Sequence, residues 1–336
     1  MLDPAGDVAR QQRDLLATST ALMLVIIVPV LALIGVFAWR YRASNRAASY
    51  DPDWDHSTHL ELAIWAAPLT IVICLGALTW AGTHLLDPYR PLSRVRPGAA
   101  APSNGAPLDV EVVALDWKWL FLYPQYGVAS VNELAAPVGR PIRFHITASS
   151  VMNSFYIPTL AGQIYAMPGM ETRLNAVIDR TGAFRGFSAN YSGAGFSGMR
   201  FTFRSLDGPG FERWVAAARL GGEPLDRARY VALARPSENT PTLRFAHVDA
   251  GLWTAIVNRC VLPGTTCMSG MVGHDSVQAA PGGVMPKIAM PATGPARPPT
   301  EDASGAPLAG AGLTQASAFS QRTPPALSGR SPSSGS

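Results

Sequence analysis

LLATSTALMLVIIVPVLALIGVFAW, residues 15–39, decides the class of this protein, and LAIWAAPLTIVICLGALTWAGTHLL, residues 62–86, repeats its message. Each stretch holds 25 residues with no Asp, Glu, Lys or Arg. About 20 apolar residues cover a hydrocarbon core at a rise of 1.5 Å per residue, so both are predicted to span a membrane as helices. Pro29 in the first, and Pro68 and His84 in the second, are tolerable there because a neighbouring helix can satisfy the backbone groups that a proline frees. The link from Arg40 to His59 makes the pair a hairpin and puts both tails on one side. Charge does not choose the side: the link carries Arg40, Arg42 and Arg46, the tails Arg10, Arg13, Arg90, Arg94 and Arg96.

Outward from the hairpin, residues 1–14 form a leading segment, and residues 87–107, rich in Pro, Gly, Ala and Arg, read as a linker leaving the membrane. The period then changes. Residues 109–115, 141–147 and 171–177 approach an apolar/polar alternation between clusters of Gly, Pro and Asn, so residues 108–205 suit one antiparallel β-sandwich. Residues 210–220 predict a helix with Trp214, Val215 and Ala218 on one face, and residues 245–257 an aromatic-bearing helical stretch. Residues 206–272 are therefore expected to form a short helical C-terminal segment. From 273 to 336 Pro, Gly, Ala and Ser dominate, too little apolar surface to offset ordering entropy, and a disordered tail is expected. The fold class is membrane-anchored all-β: a two-helix hairpin, a sandwich, a short helical segment and a tail.

The net charge of +4 is small for 336 residues and forms no continuous basic stripe, which argues against a nucleic-acid partner. No charged n-region with an apolar h-region stands ahead of Leu15, and no cysteine that could carry a lipid is found there. Cys74, inside the second span, reads as a small apolar packing residue. Cys260 and Cys267 are close enough to close a small loop in an oxidising compartment, and a bridge between them is expected. No Ser-His-Asp, zinc or phosphate-loop pattern supports independent catalysis.

The most specific signal lies in SANYSGAGFSGMRFT, residues 188–202, taken together with VMNSF (151–155), QIYAMPGM (163–170), DWKW (116–119) and RYRASN (40–45). These motifs resemble subunit II of the haem-copper oxidases. In the copper-bearing members a Cys-x3-Cys-x3-His-x2-Met loop and an upstream His hold the dinuclear copper A centre. The corresponding places here are Tyr191, Gly195, Met199 and Thr202, with Asn153 in the upstream slot. Copper selects thiolate and imidazole, and of these five only Met199 has a soft donor. The pattern as a whole resembles the cytochrome bo-type ubiquinol oxidases, which draw electrons from a lipid-soluble quinol.

That resemblance implies a cupredoxin-like sandwich and a noncatalytic subunit of a proton-pumping quinol oxidase. Haems and copper would reside in subunit I, none on this chain, with ubiquinol as substrate of the complex. Subunits I and III, a small subunit IV and membrane lipid would be its partners. It further implies a bacterial inner-membrane location, with the N-terminus and C-terminal domain in the periplasm. Glu61, seven residues before Pro68, keeps the offset of the glutamate at the mouth of the proton pathway called the K channel. Without the resemblance, Glu61 is a carboxylate favoured by the dipole at a helix start.

The DWKW run is expected inside a strand, Trp117 and Trp119 on one face and Lys118 on the other, as sandwich core or a contact with subunit I. Met152, Met167, Met170 and Met199 read as ordinary packing, although soft thioethers suit Cu(I); Met268, Met271, His274 and Met285 are a weaker set of the same kind. The Asn190-Tyr-Ser192 sequon is read as accidental. Two other readings remain open on the sequence: a copper A-type cytochrome c oxidase subunit II, and a membrane-tethered Cu(I)-binding module.

Overall fold

The computed structural model describes residues 2–49, 52–92, 94–100 and 106–269; the expected tail lies outside them. Two long helices open the chain, α1 (Asp7–Arg40) and α2 (Thr58–Leu85). Both are long and apolar enough to cross a membrane, and their apolar windows are not buried within the chain. They approach at Gly82, where even a Cβ would lie 3.1 Å from Leu15 Cδ2. At 1.5 Å per residue α1 is about 50 Å long, well beyond a hydrocarbon core. Its first turn has another task. Asp7, Val8 and Ala9 are buried, Gly6 bridges to Ile178, and Ala5 N donates to Thr159 O at 2.8 Å, so the N-terminal end of α1 is stitched to the β domain.

A small hairpin, β1 (Arg94–Arg96) and β2 (Ala99–Ala100), precedes that domain. The domain comprises β3 (Leu108–Leu115), β4 (Lys118–Tyr123), β5 (Val128–Val131), β6 (Glu133–Pro137), β7 (Ile142–Ala148), β8 (Asn153–Tyr156), β9 (Ile164–Ala166), β10 (Thr172–Ala176), β11 (Gly182–Ser188), β12 (Arg200–Leu206), β13 (Glu223–Leu225) and β14 (Leu243–Val248). One sheet has the order β10-β7-β3-β4-β5-β14-β13, the other β6-β12-β11-β8-β9. The sandwich is mixed, a correction to the antiparallel expectation: β3 runs parallel to β7 and β6 parallel to β12. The cause is a change of sheet. After β5 the chain crosses over as β6 and returns as β7, so strands without a hairpin between them meet in the same direction.

Between the sheets lies an aromatic core. Phe155 stacks on Phe201 at 5.5 Å between ring centres, while Trp119 meets both edge-on at 5.4 and 5.8 Å. Gly186 makes room for Phe201, whose ring would be 2.0 Å from a Cβ at that position. The other face of the large sheet is also covered, because Leu120, Leu122, Val113 and Val131 pack against Tyr230, Phe245, Leu252 and Ile256 of the C-terminal segment. Burial on both faces explains why β4 is buried along its whole length and apolar from Trp119 onward rather than alternating.

The C-terminal segment contains α3 (Gly208–Gly221), α4 (Arg227–Ala234) and α5 (Leu252–Val257). Asp207 caps α3 by accepting from Gly210 N at 2.9 Å, and Phe211, Trp214, Val215 and Ala218 form its buried face. The helix expected over 245–257 is shorter in the structure. Leu243–Val248 is a strand paired with β5, and α5 starts only after Gly251, at φ 87°. An open sheet edge at β5 takes these residues up, and a six-residue helix follows. Cys260 and Cys267 form a disulfide with Cα atoms 4.8 Å apart.

Candidate functional site

The turn between β3 and β4 directs one end of the sandwich. Leu115 pairs with Lys118, so Asp116 and Trp117 make a two-residue hairpin turn rather than the strand interior expected for them. Trp117 adopts φ 65°, a left-handed conformation uncommon for a bulky residue. Its indole Nε1 donates to Ser192 O at 3.0 Å. The ring lies against Gly195, where a Cβ would come within 2.5 Å of Cδ2. The two neighbours diverge as the sequence predicts: Trp119 enters the core, and buried Lys118 turns the other way. Its Nζ donates to Asp116 O at 3.2 Å, Arg235 O at 2.8 Å and Ser237 Oγ at 2.7 Å. Burial holds the Lys118 ammonium below its ordinary pKa, against the opposing pull of Asp116.

Asn153 opens β8 and is buried, accepting from Ser188 Oγ at 3.1 Å and donating to Val151 O at 3.1 Å. Met199 follows the 3-10 turn Ala194–Gly198 and is buried, its sulfur 3.9 Å from Ser192 Oγ. A chain of contacts thus joins Asn153, Met199 and Gly195 at one end of the sandwich. Tyr191 is 75% exposed with its ring against Phe196. Thr202 lies outward on β12, between Arg185 and Glu133 in register. The side chains present do not fit copper: one thioether, an amide already bonded to Ser188, a glycine under an indole, an outward phenol and an outward hydroxyl. Among the described residues no group of three or more His, Cys, Asp or Glu is placed to hold a metal.

The methionines are scattered rather than gathered. Met152 and Met170 are exposed and Met199 is buried; Met268 lies over Gly169. Met271, His274 and Met285 fall outside the described residues. Glu61 stands in the first turn of α2, with His56 Nδ1 2.9 Å from its Oε1 and His56 Nε2 3.1 Å from Thr58 Oγ1.

Neither His56 nor Glu133 is marked by a motif in the sequence. Glu133 is buried and accepts from Arg204 Nε at 2.5 Å, Arg244 Nε at 3.0 Å and Nη2 at 2.7 Å, and Trp214 Nε1 at 3.2 Å. It therefore ties β6 and β12 to α3 and β14. Burial alone would raise its pKa; the bonds from Arg244, Trp214 and Arg204 overcome that and hold it below the ordinary carboxylate value.

Comparison with known proteins assigns the family. The chain is 47% identical over 259 residues to the cytochrome bo(3) ubiquinol oxidase subunit 2 of Pseudomonas putida, covering 77% of this chain and 80% of the relative. It is 48% identical over 257 residues to the ubiquinol oxidase subunit 2 of Acetobacter aceti, covering 76% and 81%. The chain belongs to the ubiquinol oxidase subunit 2 family. The model of the cytochrome c oxidase subunit II periplasmic domain matches residues 127–206, and that of the COX aromatic rich motif matches residues 219–264. In this family member Glu133 and Arg244 are the ion pair that joins those two matched regions. Membership in the ubiquinol oxidase subunit 2 family also favours that reading over both rivals, the copper A subunit and the Cu(I) module. The chain is a membrane-anchored subunit with a cupredoxin-like domain.

Proposed function

We propose that this chain serves as subunit II of a proton-translocating ubiquinol oxidase in a bacterial inner membrane. Its two helices pack against subunit I, which carries the haems and the copper of the oxygen-reducing centre. Subunit III and a small subunit IV complete the complex. The β domain, on the periplasmic side, caps subunit I and shields the haem region from periplasmic reductants. The observation that carries this reading is the chemistry at the end of the sandwich. An electron-accepting copper pair needs thiolates and imidazoles, and the indole of Trp117 lies where the side chain of residue 195 would begin. Electrons then have no metal port at this end of the sandwich, and a quinol bound elsewhere in the complex is the donor.

Glu61 is the residue through which this chain takes part in proton movement. At the inner end of α2, a carboxylate that exchanges protons feeds the pathway in subunit I, and Gln keeps its size and hydrogen-bonding reach without the exchange. In the fully assembled complex Glu61→Gln is expected to slow quinol oxidation by about tenfold, about 1.4 kcal/mol of barrier, with Glu61→Asp retaining more. Turnover of the Gln variant at the wild-type rate would remove Glu61 from the mechanism.

A further inference from the structure

The outer face of the large sheet changes character along β3. Val110 and Val112 pack between the sheets, Val113 and Leu115 against the C-terminal segment, so by strand alternation Asp109 and Glu111 lie on the same side as Val113 and Leu115. Beside them in register stand Arg143 and His145 of β7, then Arg173 of β10, with Glu171 just before it. The cations of this face are engaged elsewhere. Arg173 Nε and His145 Nδ1 lie 2.9 and 2.8 Å from Glu171 Oε1, while Arg143 Nε and His145 Nε2 lie 3.6 and 3.7 Å from Asp109 Oδ1. Glu111 is opposite His145, yet among the described residues it accepts no hydrogen bond and joins no ion pair.

Glu111 instead walls a cavity of about 300 Å³ between the sheet and residues 248–254, together with Leu122, Pro124, Gly127, Asp249 and Trp253. The covering segment is lightly held. Val248 N donates to Gly127 O at 3.2 Å and Asp249 N to Leu225 O at 3.0 Å, and Asp249 Oδ2 lies 3.6 Å from Arg227 Nε of α4. Left-handed residues bracket it, the exposed His247 at φ 54° and Gly251 at φ 87°, marking the two points where its backbone turns. Tyr123 also lines the cavity, but its hydroxyl is committed to the core, donating to Ala135 O at 3.0 Å.

A carboxylate that lacks a donor and stands near two others is costly to ionise, and the neutral acid is not. Burial, and then the charges of Glu171 and Asp109, push the Glu111 carboxyl up to about 7. We propose that Glu111 is a proton-operated latch: protonated, it lets residues 248–254 close over the cavity, and ionised, it draws water in and the segment opens. Because the closed-state pKa lies above the ordinary carboxylate value, closure is favoured in acid, weakens as pH rises past about 4.3, and has lost this support once pH passes about 7. On the topology proposed above, the β domain meets the compartment toward which protons are moved, so acid accumulating there closes the segment; the titration itself rests on this chain alone.

The test is hydrogen exchange of the full chain in detergent, read by mass spectrometry over the peptide that holds the Val248, Asp249 and Leu252 amides, from about pH 5 to pH 8.5 and corrected for intrinsic rates. In wild type, exchange there is expected to rise by up to about tenfold between pH 6 and pH 8 and then level off, while Leu120 in the middle of the sheet shows no such rise. Glu111→Gln, which keeps the shape of the neutral acid, should remain protected across the range. Glu171→Gln removes one neighbouring charge and should move the levelling-off to lower pH. Wild-type exchange that does not rise, or a rise of the same size in Glu111→Gln, would overturn the latch; a levelling-off unmoved in Glu171→Gln would overturn the part given to the neighbouring charge.

Discussion

Replacing Glu133 by Gln should loosen the junction between the cupredoxin-like domain and the C-terminal segment. Removing one partner of a buried ion pair typically costs about 3–5 kcal/mol. Glu133 qualifies, with a side chain only 4% exposed, but Arg204 and Arg244 are 51% and 35% exposed and can turn toward water once released. That escape lowers the expected loss to about 2–3 kcal/mol. For a domain of this size each kcal/mol moves the midpoint by about 2–4 °C, so thermal unfolding of the full chain in detergent, followed by near-ultraviolet circular dichroism, should fall by about 5–10 °C. The pH dependence gives an independent check. The folded carboxyl lies below its unfolded value, so its stabilisation is complete above the unfolded carboxylate range, about pH 4.3, and fades as pH falls through the folded value. The gap between wild type and Glu133→Gln should therefore be full at pH 7 and shrink in acid. A midpoint within about 1 °C of wild type at pH 7, or a gap that persists unchanged in strong acid, would refute the assignment of Glu133 as the ionised tie.

Two further outcomes are expected. Opening the Cys260–Cys267 loop by Cys260→Ser should cost about 2 kcal/mol from its short loop length, and thiol labelling of the native chain after denaturation should modify Cys74 alone; labelling at all three cysteines would rule the bridge out. Asn153→His, Tyr191→Cys, Gly195→Cys, Met199→His and Thr202→Met together should give a chain that binds two copper ions with thiolate charge-transfer colour, with a shift in Trp117 fluorescence as the indole yields to the new side chain at 195; a folded but colourless product would sink the loop correspondence.

The spans were legible because membrane solvation imposes one strong demand, an uninterrupted apolar run, and 15–39 and 62–86 meet it without any tertiary information. The strands around 109–115 and 141–147 were legible from alternation for the same local reason. What sequence could not supply were the effects of distant packing. Residues 243–248 carry no stronger strand signal than helix signal, and it is the unpaired edge of β5 that decides between them. Trp117 looked like a strand residue because nothing local marks a two-residue turn in DWKW, and its contact with Gly195 joins segments 78 positions apart. Glu133 was hidden for the opposite reason. A single carboxylate in an apolar strand has no motif; its meaning comes from Arg204, Trp214 and Arg244, which arrive from three other elements.

Everything about the end of the sandwich points to a complex fed by quinol and not by a soluble electron carrier. The direct measurement is turnover of the complex purified through this chain, its haem spectrum recorded, with oxygen consumption followed on ubiquinol and then on reduced cytochrome c. Rapid oxidation of ubiquinol is expected, with none of cytochrome c above background. Cytochrome c oxidation at a rate comparable with that of ubiquinol would contradict it.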